Sequence, residues 1–256
     1  MNAPTVDRES SGRRVIFGVR PVEELVRANP RSVSVIYVAE GKRSPEAETA
    51  LAAAKDRGIA VEIRPRALIA DLAGGTSHQG IVAVVGAFAY ASVETILEHA
   101  KTRNEQPLVV LLDGISDPQN LGAVVRSAEV LGAHGVIMAD RNSAPVAGGA
   151  VKASAGATER VLIARVESLL KTIDKLREAG VMVWAAAGGT GEPPAKLDLT
   201  TPVALVIGSE GRGLREAVAR RCDGIIAIPM KGAIASLNAS AAAAILLYEA
   251  LRQRSA

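Results

Sequence analysis

The sequence predicts an α/β protein in two parts, a small mixed domain followed by a larger one built on a parallel sheet, and three observations carry that prediction. Short apolar runs recur in the second half: LVVLLDG (108–114), VMVWAAA (181–187), PVALVIG (202–208) and GIIAIP (224–229). They are too uniformly apolar for strands wetted on one face, and they are separated by helical segments, the pattern of a parallel sheet covered on both sides. A charged stretch, ASVETILEHAKTRNEQ (91–106), divides these runs from an earlier alternation of helix and strand. With 256 residues, 48% of them hydrophobic, the chain is long enough for more than one core.

The elements follow in order. Residues 1–14 (MNAPTVDRESSGRR) are polar throughout and read as a disordered tail without the apolar stretch of a secretory signal. Residues 15–88 form the small domain. Val22, Leu25 and Val26 recur at helical spacing, SVSVIYVA (32–39) reads as a strand, and Pro45 opens an alanine-rich helix to about Arg57. A short strand at 61–63, a helix at 67–72 and the buried strand GIVAVV (80–85) complete it. Residues 89–106 are expected to link the domains, partly helical by the spacing of Val93, Ile96 and Leu97. The second domain, 107–256, opens with a strand, a polar turn, a helix at 121–131 and a strand at 136–138, which is a βαβ unit. It closes on ASAAAAILLYEALRQR (239–254), a helix whose alanines permit close packing against a partner.

Composition excludes several classes. Thirty Lys and Arg against 27 Asp and Glu give a net charge of +3, which permits an anionic partner without requiring one. Aromatics at 2% count against RNA-binding modules that stack bases on surface rings. The lone Cys222 forms no internal disulfide and fits a reducing cytoplasm. The apolar run 239–248 is about half the ~20 residues of a membrane span. His78, His99, His134 and Cys222 show no metal-ligand spacing, so no metal is expected.

In an open parallel sheet, ligands bind beyond the carboxyl ends of the strands, which singles out three loops. The first, DGISDPQNLGAVVRSAEVLGA (113–133), places Asn120 at a helix start, where an ordinary N-cap role is open to it. Arg126 interrupts the apolar stretch of the same helix, although a helical arginine is commonly solvated or ion-paired. The second, GSEGRGL (208–214), has more glycines than a strand-to-helix turn needs, yet matches neither GxGxxG nor the P-loop, and Glu210 would repel phosphate and suit a cationic ligand. The third, PMKGAIASLN (229–238), offers Ser236 and Asn238, both good helix caps, and residue chemistry alone leaves their roles open.

Taken together, NLGAVVRSAEVLGA (120–133), LVIGSEGRGL (205–214) and IPMKGAIASLN (228–238) resemble, in order and spacing, the three motifs of SPOUT methyltransferases. The likeness is strongest to the TrmH/RlmB family of ribose 2'-O-methyltransferases. The segment containing SHQGIVAVV (77–85) is similar to that family's ribosomal-protein-like RNA-binding domain. The resemblance implies a SPOUT fold with a trefoil knot in the C-terminal domain, and S-adenosyl-L-methionine as co-substrate held near Gly208, Gly211, Ile228, Met230 and Leu237. It also implies Asn120, Arg126, Glu210, Ser236 and Asn238 as functional positions, a site completed across a homodimer, and RNA as partner. The RNA it implies is large-subunit rRNA, methylated at a guanosine of the peptidyl-transferase region of 23S rRNA. Lys231 and Ala239 depart from the residues common in relatives, without removing a polar functional group.

The reaction so implied moves a sulfonium methyl group to a 2'-hydroxyl, whose proton must be accepted. The family is described with an arginine base, but a free guanidinium loses its proton only above about pH 12. A charged Arg126 gripping the adjacent phosphate uses its fork geometry and requires no deprotonation, so positioning is the primary expectation and base the second. Two other readings stand beside it: transfer RNA as substrate, and an RNA-binding protein without catalysis. A nicotinamide dehydrogenase would need the dinucleotide fingerprint that DGISDPQNLGA lacks.

Overall fold

A computed structural model describes residues 13–75, 78–232 and 236–255 of the chain. Residues 1–12 of the expected tail, Ser77 of the SHQGIVAVV run and residues 233–235 of IPMKGAIASLN lie outside the described residues. In chain order the elements are β1 (Arg14–Phe17), α1 (Val19–Ala28), β2 (Val33–Ala39), α2 (Pro45–Asp56), β3 (Val61–Arg64), α3 (Arg66–Leu72), β4 (Ile81–Val85) and α4 (Val93–Thr102). Then follow β5 (Leu108–Asp113), α5 (Pro118–Val130), β6 (Gly135–Ala139), α6 (Gly148–Ala153), β7 (Ile163–Val166), α7 (Leu169–Glu178), β8 (Met182–Ala186), β9 (Val203–Gly208), α8 (Glu216–Arg221), β10 (Gly224–Ile226) and α9 (Ala239–Arg254).

The first unit is a four-stranded sheet in the order β1-β4-β2-β3, antiparallel except where β2 meets β3. All of β4, IVAVV, is buried because both of its faces are covered. Ile81, Ala83 and Val85 join a core with Val22 and Leu25 of α1 and Leu51 of α2, while Val82 packs with Ile69 of α3. Residues 146–160, which fall inside the second domain as read from the sequence, pack with this unit. Val151 of α6 lies in its core, and Arg14 pairs with Glu159 at 3.1 Å, the two side chains 9% and 2% exposed.

The second unit, residues 90–145 and 161–256, is a six-stranded, wholly parallel sheet in the order β10-β8-β9-β5-β6-β7. Alternate residues of β5 explain its continuous apolar run: Val109 and Leu111 face a core with Ile96 of α4, Ile173 of α7 and Val218 of α8. On the other face lie α5 and α9, packed on each other and on the sheet. The stretch 89–106, expected as a linker, carries α4 and buries Val93, Ile96 and Ala100 in this unit, because those three side chains share one helix face. At the amino edge of the sheet, Arg254 donates to the carbonyls of Leu199, Pro107 and Thr201. Being parallel, the strands deliver all their carboxyl ends to the opposite edge.

Candidate active site at the carboxyl edge of the parallel sheet

Strand β5 ends on Asp113, only 3% exposed. A buried carboxylate is unfavourable without donors, and both of its oxygens are taken by Arg215. The Arg215 backbone N–H donates to Oδ2 at 2.9 Å and its Nε to Oδ1 at 2.7 Å. The ion pair fastens the end of β5 to the chain just beyond the 208–214 loop.

That loop folds back on itself. A Cβ at Gly208 would stand 2.3 Å from the Gly213 carbonyl carbon and 2.4 Å from the Leu214 nitrogen, so only glycine fits where β9 enters the turn. Ser209 and Gly213 exchange backbone hydrogen bonds of 3.1 and 2.8 Å across it, with Gly211 and Gly213 at φ +80° and +65°. The loop is thus rigidly closed, and its glycines serve its own geometry first.

Behind the loop runs a chain of polar side chains. Asp117, not Asn120, caps α5 by accepting from the Gln119 N–H, because Pro118 takes the first helical position and moves the start three residues earlier than periodicity indicates. Asn120 is instead 7% exposed within the first turn, where its Nδ2 donates to Asp117 at 3.0 Å. Its Oδ1 accepts from Asn238 Nδ2 at 3.0 Å, and the same Asn238 amide donates to Glu210. Asn238 does cap α9, its Oδ1 accepting from the Ser240 N–H at 2.9 Å and the Ala241 N–H at 3.3 Å. Asn238 therefore caps α9 with its carboxamide oxygen and ties Asn120 to Glu210 with its nitrogen. Ser236 is exposed and does not cap the helix.

Beside this chain opens a cavity of about 430 Å³ between the ends of β8, β9 and β10 and the start of α9. Gly208, Gly211, Ile228, Met230 and Leu237 all line it, together with Glu210 and Ser236. One wall is apolar, the other is glycine backbone, and Glu210 contributes a carboxylate; the volume falls in the range of ordinary ligand pockets. These residues fit a nucleoside-sized ligand with an apolar body and a positive centre. Arg126 stands apart. It is exposed on α5, about 9 Å along the helix axis from Asn120, lines no part of the cavity, and makes no hydrogen bond or ion pair among the described residues. Sequence reasoning missed Asp113 and Arg215; the available signal was a carboxylate closing an otherwise apolar strand.

Fold and cavity together define an α/β protein with a nucleoside-sized cavity at the carboxyl edge of a parallel sheet and no dinucleotide fingerprint. A model of the SpoU rRNA methylase family matches residues 107–248, and one described as RNA 2'-O ribose methyltransferase substrate binding matches residues 15–91. The chain is 37% identical over 242 residues to the 23S rRNA (guanosine-2'-O-)-methyltransferase RlmB of Pseudomonas syringae pv. tomato, covering 94% of this chain and 96% of that one. It is 39% identical over 248 residues to an uncharacterized tRNA/rRNA methyltransferase of Mycolicibacterium gilvum, covering 96% and 79%. Among solved structures, the SpoU methyltransferase AviRb of Streptomyces viridochromogenes in complex with AdoMet is similar at a TM-score of 0.78 and 30% identity, over 95% of this chain and 91% of that one. The chain belongs to the SpoU rRNA methylase family. Its activity is that of an RNA 2'-O-methyltransferase, with S-adenosylmethionine as methyl donor.

Proposed function

We propose that the chain methylates the ribose 2'-hydroxyl of a guanosine in the peptidyl-transferase region of 23S rRNA. The observation that carries the catalytic part is the hydrogen-bonded series Asn120–Asn238–Glu210, which joins the motif of α5, the loop after β9 and the start of α9 beside the cavity that Glu210 lines. The choice of RNA is supported by the likeness to RlmB proteins, which spans both units, at 37% identity in Pseudomonas syringae and 35% in Shewanella oneidensis.

In this reading Gly208, Gly211, Ile228, Met230 and Leu237 hold the cofactor, and bound S-adenosylmethionine supplies a methyl group on a sulfonium centre that departs as a neutral thioether. Glu210, held by Asn238, places negative charge beside a cationic ligand. Ser236 adds a hydroxyl to the wall, and Asn120 holds Asn238 from behind it. Arg126 positions the RNA by gripping a phosphate next to the reacting ribose, and accepting the hydroxyl proton is its secondary role.

Because Arg126 lies outside its own chain's cavity, it serves the cavity of a second copy in a homodimer. Support comes from apolar side chains left exposed on α5 and α9: Val130 at 66%, Tyr248 at 58%, Ile245 at 41% and Leu251 at 36%. The trefoil threading of the C-terminal unit and a cytoplasmic location belong to the same reading.

Ribose-methylation mapping of a deletion strain tests it: loss of one 2'-O-methylguanosine from the peptidyl-transferase region is expected. Intact ribosomal RNA beside an undermethylated transfer RNA would refute the assignment. Near-normal turnover by Arg126→Lys would exclude fork-specific positioning, and full activity of Arg126→Ala would exclude both roles.

A further inference from the structure

A second and larger concavity, of about 800 Å³, lies on the other side of the 209–214 loop, over the carboxyl ends of β5, β6 and β7. Its walls include Arg141, Asn142, Glu167, Ser168, Leu169 and Arg212. Ser209, Glu210 and Arg212 line both this concavity and the cofactor cavity, so a single turn of chain separates the two.

The arginines of this unit are otherwise engaged. Arg215 pairs with Asp113, Arg165 with Asp140, and Arg221 with Asp174. Arg141 and Arg212, like Arg126, have no hydrogen-bond or ion-pair partner among the described residues, and both are exposed. A free guanidinium at the rim of a concavity presents a fork of donors suited to a phosphate. The lining also differs in kind: the partly exposed Leu170 and Leu214 offer apolar surface, and Glu167 offers a carboxylate able to accept from the N–H groups of a base edge. Phosphate donors, an apolar patch and an acceptor within one concavity are the complement of one nucleotide.

We propose that this concavity is a nucleotide subsite for the RNA substrate. It takes an unpaired nucleotide adjoining the one to be methylated, with its phosphate on Arg141 and Arg212 and its base between the leucines and Glu167. The inference rests on the enzyme reading above and adds a site that holds the strand against the loop shared with the cofactor.

Arg141 lines only this concavity, which makes it the clean probe. Binding of an unmodified 23S rRNA transcript is measured against salt concentration, alongside methyl transfer and calorimetry with S-adenosylhomocysteine. For Arg141→Ala the slope of log affinity against log salt shrinks by about one and RNA affinity drops about tenfold. Affinity for S-adenosylhomocysteine and kcat at saturating RNA stay at wild-type levels. Arg141→Lys keeps the slope, and Glu167→Gln raises KM for RNA without altering it. Wild-type RNA affinity and salt slope in Arg141→Ala would overturn the subsite while leaving the enzyme reading intact. A wild-type chain that binds S-adenosylhomocysteine but neither binds nor methylates RNA would overturn both.

Discussion

Gly208→Ala tests whether the closed 209–213 turn is what shapes the cavity proposed for the cofactor. The added methyl would stand 2.3 Å from the Gly213 carbonyl carbon and 2.4 Å from the Leu214 nitrogen, both backbone atoms that cannot rotate away. Restoring ordinary contact requires the turn to move by about an ångström. The turn is fastened by the two Ser209–Gly213 hydrogen bonds and, just beyond, by Arg215 on Asp113. Overpacking of this kind costs about 1–3 kcal/mol, and losing one fastening hydrogen bond adds about 1. A total of about 2–4 kcal/mol borne by the binding loop lowers cofactor affinity between about thirtyfold and about a thousandfold. Calorimetry with S-adenosylhomocysteine reads this directly, with circular dichroism as the check on folding. Gly232→Ala, where a Cβ meets nothing within 4 Å, is the control. Wild-type affinity in Gly208→Ala would refute the claim that the turn's backbone forms the cavity wall.

Three further outcomes follow from the geometry. Asn238→Asp keeps the oxygen that caps α9 but sets a carboxylate against Glu210 and the Asn120 carbonyl oxygen in place of the donor, so the cap is kept while methyl transfer falls at least tenfold; Asn238→Ala loses both cap and donor, with about 1 kcal/mol of helix stability. Equal activity of Asn238→Asp and wild type would reduce the residue to a cap. The Cys222 thiol, which donates to the Val218 carbonyl at 3.2 Å, is pushed up to about 11 by burial; native protein at pH 8 should alkylate with iodoacetamide orders of magnitude more slowly than urea-unfolded protein, and similar rates would contradict that burial. Burial holds the His134 imidazole below its ordinary 6.5 despite the opposing pull of Glu105, and its Nδ1 accepts from the Leu108 N–H at 3.0 Å. The folded state therefore prefers neutral His134, and its stabilisation is complete above pH 6.5 and lost as pH falls below that value. Melting curves between about pH 7.5 and pH 5 should show a steeper acid loss in wild type than in His134→Gln, and parallel curves would sink the assignment.

Much of the fold was legible because burial on both faces writes itself as continuous apolar runs: β4, β5 and β9 are each such a run. Strand β7, IARV, escaped notice because it is an edge strand with Arg165 facing out, so its pattern is short and broken. The start of α5 was placed late because periodicity begins at Leu121, whereas the cap at Asp117 and Pro118 at the first position set the boundary. In the site, Gly208, Gly211, Ile228, Met230 and Leu237, drawn from two separate motifs, line one cavity. The Asp113–Arg215 pair joins residues 102 apart in sequence, and no local pattern announces such a contact. The same holds for the bridge from Asn120 to Asn238, a distance of 118 residues. Only folding shows which end of an asparagine is a cap and which is a tie.

The packing of residues 146–160 into the N-terminal unit bears on modularity. A substrate-recognition domain defined by 15–91 looks portable, a cassette that gene fusion could exchange at one junction. Yet its core includes Val151 and its Arg14 answers to Glu159. Grafting the N-terminal segment alone would leave a gap in the donor core and a charge without its counterpart. A working chimera needs two splices, so that both pieces move together.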